Sequence, residues 1–242
     1  MILLILNLLL AHLIGDFFIQ PKKWVKDKEK KKLKSVWLYI HVAIHIVLMV
    51  ILVWDSSKIL LILGIGALHL LIDALKLLLQ KKKTKRFYFF LDQVLHIITI
   101  FGLVYLYYKL CLNSDPLISI NLNSKLLLLL ICIAFLTKPT SLIMKTVFTK
   151  WNISELTENN ESLKDAGNYI GILERILVFI FIIVGHWEAV GFLITAKSVF
   201  RFGDLSSTKE RKLTEYILIG TLISFGIAIV ISILYLNIKV YV

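Results

Sequence analysis

The chain has 242 residues, a formal net charge of +12 and a hydrophobic content of 58%. Water-soluble domains contain roughly 45–50% apolar residues, so an ordinary soluble globular protein is excluded. The lysines are concentrated in short loops beside apolar segments, which argues for membrane topology and against a nucleic-acid-binding surface.

Eight apolar segments follow one another along the chain, and a membrane helix needs about 20 such residues. They are residues 2–20, 36–54, 58–79, 87–108, 124–148, 170–187, 188–203 and 214–236. This pattern predicts an all-α polytopic bundle of seven or eight membrane helices. The segment 188–203 is short and contains charged residues, so it is the one candidate for a re-entrant element. The opening MILLILNLLL has no basic leader and no small-residue cleavage site, and we expect it to remain as a mature helix.

Two lysine-rich loops set the predicted topology. Residues 21–34 (PKKWVKDKEKKKLK) and 81–86 (KKKTKR) belong in the cytoplasm by the positive-inside rule. We therefore expect the N-terminus outside, and anionic lipid headgroups are natural partners for these loops. The polar stretch 149–169 is expected to be a cytoplasmic linker. The predicted units are 1–110 with four helices, 111–148 with the fifth helix and its external loop, the linker 149–169, and 170–242 with three helices.

Each of the first four helices carries two polar residues four positions apart, which lie on one helical face about 6 Å apart along the axis. The pairs are His12 and Asp16, His41 and His45, His69 and Asp73, and Asp92 and His96. Random placement of these residue types would give about one such pair. Chance is therefore a poor explanation for four.

The four pairs are also predicted to lie at one depth. They fall near the ends of the first and third helices and near the starts of the second and fourth. Because successive helices are antiparallel, all pairs fall in the same leaflet, which the basic loops make the cytoplasmic one. A carboxylate inside a membrane helix costs roughly 2.5–3.5 kcal/mol on insertion scales, so three of them in one layer need cationic partners.

Five imidazoles and three carboxylates form a ligand set that suits zinc, manganese or iron. Eight ligands are enough for two divalent ions with positions left for water, and we expect a dinuclear site with zinc favoured. Cys111 and Cys132 are too few and too far apart for a disulfide framework or a thiolate site. The alternatives are interhelical hydrogen bonds, or conduction of protons or ions.

Other polar residues lie near this layer or in the later helices. Gln20, Lys76 and Gln93 are expected to orient the ligands or to contact substrate. The alternative for Lys76 is that its side chain snorkels to the membrane interface. In the later helices the charged residues are Glu174, Arg175, Lys197, Arg201 and Glu215. Lys197 and Arg201 are spaced to hold a phosphate of a lipid or nucleotide. The alternative is that they form ion pairs with Glu174 or Glu215.

Six stretches resemble a family of bacterial membrane proteins named domain of unknown function 3307. They are AHLIGDFFIQ, HLLIDALK, FLDQVLH, AGNYIGILERILV, AKSVFRF and EYILIGTLIS, and they span nearly the whole chain. The HLLID element is also similar to inner-membrane proteins described as LexA-binding, metal-dependent hydrolases. These resemblances imply a bacterial inner-membrane location and metal-dependent hydrolysis.

The sequence favours a membrane-embedded metal-dependent hydrolase at the cytoplasmic leaflet, whose substrate is amphiphilic, with or without a phosphate group. A divalent ion would activate water for attack on a phosphoester or an amide, and one of Asp16, Asp73 and Asp92 would act as general base. A di-iron, oxygen-activating enzyme is a variant of this hypothesis. The first alternative is a metal-ion or proton transporter that uses the same pairs, although the external halves of the four helices are almost purely apolar. The second is a non-enzymatic sensor or scaffold that recruits a partner through residues 149–169.

Overall fold

The computed structural model is α-helical and contains no strand among the residues that it describes, which are 1–110, 123–149, 165–199 and 208–242, with the backbone alone at 208–213. The helices are α1 (Ile2–Leu13), α2 (Lys22–Lys31), α3 (Val36–Val53), α4 (Ile59–Leu79), α5 (Lys85–Leu110), α6 (Ser124–Leu136), α7 (Lys138–Phe148), α8 (Ala166–Ile183), α9 (Trp187–Val199) and α10 (Thr208–Ile238). The all-α prediction is confirmed.

Seven helical stretches in the described part of the chain are long and apolar enough to cross a membrane. They are Ile2–Ile19, Val36–Val53, Ser56–Leu79, Lys85–Leu110, Ser124–Phe148, Ala166–Ile183 and Thr214–Ile238. The chain is therefore a polytopic membrane protein. The segment expected at 188–203 is not among them, because its described helix α9 has 13 residues and reaches only about 20 Å along its axis.

The chain divides into two compact units, Met1–Ile131 with Val242, and Cys132–Tyr241. In the first unit, α1, α3, α4 and α5 form a closed ring in which each helix packs against two others. One end of this ring is filled by an apolar cluster. Its buried members are Leu4, Leu8, Ala11, Met49, Leu61, Ile62, Ile65, Ile100 and Val104. The predicted polar layer lies at the other end, next to the lysine-rich loops.

α1 does not end at Leu13 but continues as a π-helix over Ile14–Ile19. A π-helical turn contains more residues than an α-helical turn, so it changes the direction in which the following side chains point. Asp16 lies inside this turn, and Gly15 is buried against the His45 ring of α3. The absence of a side chain at Gly15 is what allows α1 and α3 to approach so closely.

The lysine-rich loop 21–34 contains the helix α2, which packs against α3. Trp24 of α2 stacks on Trp37 of α3 with ring centroids 4.5 Å apart. Lys32 follows α2 and donates a hydrogen bond to the Leu77 carbonyl in the last turn of α4 (2.6 Å). Hydrogen bonds from Lys31 and Ser35 hold the pKa of the Asp27 carboxyl below its usual value. These contacts fix α2 across the lysine-rich end of the ring.

In the second unit, one membrane-spanning stretch is interrupted between α6 and α7, just before Pro139. Such a break frees backbone carbonyls that hydrocarbon cannot solvate. The buried Arg175 of α8 donates to the Leu136 carbonyl (2.7 Å) and to Ser141 Oγ (2.9 Å), and its Nη1 donates to Ser224 Oγ of α10 (3.1 Å). Arg175 thus joins the broken stretch to α8 and α10.

Replacing Arg175 with leucine should destabilise the second unit, because the Leu136 carbonyl loses its buried donor. We expect a loss of about 1–3 kcal/mol, measured as earlier thermal unfolding in detergent. Ser224→Ala removes one acceptor of the same side chain and is the milder control. Equal unfolding temperatures for Arg175→Leu and the parent protein would show that the break needs no buried cation.

Candidate metal centre

The eight paired residues of the first four membrane helices meet in one layer at the lysine-rich end of the ring. All but Asp16 are at least 95% buried, and the Asp16 side chain is 11% exposed. The imidazole rings lie close together, with centroids 3.9 Å apart for His69 and His96 and 4.1 Å for His45 and His69. Four helices therefore deliver their polar pairs to a common centre.

Four donor atoms make the tightest group in this layer. They belong to Asp16, His41, His45 and His69. Asp16 Oδ1 lies 3.1 Å from His41 Nε2, 3.0 Å from His45 Nε2 and 3.9 Å from His69 Nε2, and the two Nε2 atoms of His41 and His69 are 3.3 Å apart.

Three of these four separations lie within about 0.4 Å of the spacing in a tetrahedral zinc site. Ligand atoms at the usual zinc distance of about 2.0–2.1 Å lie about 3.3–3.4 Å from one another at a tetrahedral angle. One carboxylate and three imidazoles are also a common zinc ligand set. The donor chemistry and the spacing of the group therefore both fit a divalent ion.

Two further groups share members with the first. They are His69, Asp73 and His96, and Asp16, Asp92 and His96, and in each group the ligand atoms lie within 4.8 Å of one another. His96 Nε2 is 3.8 Å from Asp73 Oδ1 and 3.5 Å from Asp92 Oδ1. The layer therefore offers donors for a second ion beside the first.

Two buried atoms of the layer lack a hydrogen-bond partner in the described structure, Asp92 Oδ1 and His96 Nε2. Buried polar atoms are nearly always hydrogen-bonded, and an unsatisfied one costs about 1–3 kcal/mol. Both atoms are donors of the third group. A bound cation would satisfy them, so these atoms also fit a metal site.

Two glutamines hold the ligands in place. Gln20 Nε2 lies 3.0 Å from His41 Nδ1. If the Gln20 amide is rotated by 180°, its oxygen accepts a hydrogen bond from His41 Nδ1–H, and His41 Nε2 is then available to a metal. Gln93 Nε2 donates to Asp16 Oδ2 (2.8 Å) and to Asp92 Oδ2 (3.2 Å), while its Oε1 lies 3.4 Å from His12 Nε2.

Two lysines neutralise the other carboxylates. Lys76 Nζ donates to Asp92 Oδ2 (2.7 Å), and Lys28 Nζ of α2 donates to Asp73 Oδ2 (3.1 Å). The sequence singled out Lys76 but not Lys28, because Lys28 is one of eight lysines in the loop 21–34. The available signal was its position four residues after Trp24, which places both on the protein-facing side of α2.

A cavity of about 10 Å³ separates the layer from the apolar end of the ring, close to the volume that one water molecule needs. Four of the histidines line it, together with apolar side chains of all four helices. Those histidines are His12, His45, His69 and His96. The cavity ends at the apolar cluster.

The charged residues of the later helices form a different arrangement. Lys197 Nζ donates to Glu174 Oε2 at 2.6 Å, which is the ion-pair alternative to a phosphate site. Arg175 instead binds the break between α6 and α7, as described above. Arg201 lies outside the described residues, and so does most of the expected linker 149–169. Glu215 lies near the start of the membrane-spanning part of α10.

A family model described as "Protein of unknown function (DUF3307)" matches residues 3–128, which is more than half of the chain. The chain belongs to the DUF3307 family. The match contains all eight residues of the layer, together with Lys28, Lys76, Gln20 and Gln93. No curated protein and no solved structure matches the chain. The DUF3307 resemblance is therefore confirmed, while the similarity to LexA-binding hydrolases and the bacterial origin stay predictions.

Gly15 offers a test of the layer that removes no ligand. A methyl group there would overlap the His45 ring, whereas one at Gly102 of α5 would meet no atom within 4 Å. Gly15→Ala should therefore displace His45 and weaken zinc binding by about 10–100-fold, measured by competition with a chromogenic chelator. Gly102→Ala should bind zinc like the parent protein. Equal zinc affinity in the two variants would contradict the role of His45 as a ligand.

Proposed function

We propose that this DUF3307 protein is a membrane-embedded, metal-dependent hydrolase that acts on an amphiphilic substrate at the lysine-rich end of its four-helix ring. The observation that carries the proposal is that buried donor atoms of Asp16, His41, His45 and His69 converge within 4.8 Å of one another. We further propose the bacterial inner membrane as its location, with the lysine-rich end in the cytoplasm.

A divalent ion in this layer would supply two things, a water molecule with a pKa near 7 and polarisation of the bond under attack. Zinc is the ion we favour for the first group, with a second ion beside it at Asp73, which leaves Asp92 outside the ligand set. Gln20 and Gln93 orient the ligands through hydrogen bonds to His41, Asp16 and Asp92.

Asp92 is the carboxylate we assign as general base. Its Oδ1 accepts no hydrogen bond, whereas Lys76 and Gln93 hold its Oδ2. An oxygen that is fixed in position and free of other donors can accept a proton from a water molecule nearby. His96 Nε2, 3.5 Å away, is suited to carry that proton onward to the leaving group.

The main rival is a transporter that would move an ion through the ring. A permeation path needs polar groups at several depths. Beyond the layer the ring is filled by the apolar cluster around Leu8, Ile62 and Val104, all of which are at least 99% buried. The packing therefore supports a site that is reached from the lysine-rich end alone, as a hydrolase requires.

Metal content tests the proposal first. Protein purified without chelator should contain about two equivalents of divalent metal by elemental analysis. His45→Ala and Asp73→Asn should each lose about one equivalent or more, since each removes a ligand. His186→Ala is the matched control, because that histidine is exposed and lies in the second unit. Metal-free parent protein would refute the proposal.

The role of Asp92 is tested by turnover. Asp92→Asn should lower the hydrolysis rate of a short-chain phosphoester amphiphile by about 10²–10⁴-fold and leave the zinc of the first group bound. The variant keeps the shape of the side chain and accepts no proton. Zinc uptake into proteoliposomes by the metal-loaded parent protein, without any hydrolysis, would instead favour the transporter.

A further inference from the structure

The two lysines of the layer are bound to carboxylates that could also hold a metal ion. Lys28 is bound to Asp73 and Lys76 to Asp92, and both carboxylates are members of groups that could hold a metal ion. The lysines come from separate elements, the loop helix α2 and the membrane helix α4. Their ammonium groups thus approach the same centre from two sides.

Charge balance decides what else the layer must contain. Among the described residues it holds three carboxylates and two ammonium groups, a net charge of −1 when the histidines are neutral. One divalent ion changes this to +1, and a second ion changes it to +3. Buried charge of one sign is strongly unfavourable without a counter-charge. A metal-bound hydroxide would cancel only one charge of the two-ion layer, so with both lysines in place that layer requires a further anion.

We propose that Lys28 and Lys76 form an anion-binding pair beside the metal centre and that the substrate of this site carries a phosphate group. This inference rests on the proposed function. A phosphate monoester carries up to two negative charges and several acceptor oxygens, so it balances the excess positive charge while it binds both ammonium groups. Once a metal ion takes over Asp73, Lys28 is released to this role, while Lys76 keeps one ammonium donor on Asp92 and has others for the phosphate.

The position of the pair agrees with a substrate that arrives from the membrane surface. Lys76 has 26% of its side chain exposed, the most among the charged residues of the layer, so the centre is least enclosed beside it. α2 lies across the same end, and its Trp24 stacks with Trp37. Tryptophan is enriched at the level of lipid headgroups, where the phosphates of lipids also lie.

Binding of defined phosphates to the zinc-loaded protein tests the pair. Calorimetric titration with inorganic phosphate or dihexanoyl phosphatidate should show binding that Lys28→Met and Lys76→Met each weaken by about tenfold, the usual effect of losing a charged hydrogen bond. Lys30→Met is the matched control, because Lys30 is an exposed residue of the same helix α2. It should leave the affinity unchanged.

The outcomes separate the two proposals. Zinc-loaded variants that bind phosphate as tightly as the parent protein would overturn the anion-binding pair and leave the metal centre intact. Parent protein that binds no zinc would overturn both.

Lys28→Arg should retain phosphate binding, since it keeps the charge. If Lys28→Met fails to fold, Lys76→Met decides the test. Preference for phosphatidate over inorganic phosphate would identify a lipid headgroup as the source, and the reverse preference would identify a free phosphate.

Discussion

Hydrocarbon does not solvate a carboxylate, and the first unit of this protein is organised around that constraint. Asp16, Asp73 and Asp92 enter the membrane on three different helices. Each can be accommodated only if imidazole, ammonium or amide groups from other helices reach it. The closed ring of α1, α3, α4 and α5 satisfies all three at once, because it brings the polar faces of four helices to one level. The helix packing and the candidate site thus follow from the same requirement.

The sequence predicted that the polar pairs lie in one layer, for a simple physical reason. A spacing of four residues gives one helical face, and antiparallel connection turns position along the chain into depth in the membrane. His12, His45 and His96 could therefore be assigned to one layer without coordinates. The family resemblance rested in part on the same pairs, because AHLIGDFFIQ, HLLIDALK and FLDQVLH contain three of the four. Neither argument needed the side-chain distances that the structure supplies.

What the sequence did not predict depends on departures from regular α-helical periodicity. The π-helical turn that carries Asp16 has no signature in IGDFFI that propensity would reveal. Lys28 was not singled out because a run of lysines is typical of a solvated loop, whereas most of this run lies in the helix α2. The sequence predicted one continuous helix where the structure has a break before Pro139. Tertiary packing decides the first two cases, whereas the break follows from Pro139, which cannot donate the backbone hydrogen bond that a continuous helix needs.

The way the layer is enclosed has a kinetic consequence. One side of it is closed by apolar side chains, and the other is covered by α2, which is tied down through Lys28, Lys32 and the tryptophan stack. An ion bound in the layer would therefore exchange with the surrounding solution only at the end that α2 covers. The residence time of the ion would depend on how often α2 moves away from the end of the ring. Lipids that keep α2 bound there would therefore also slow the loss of the ion.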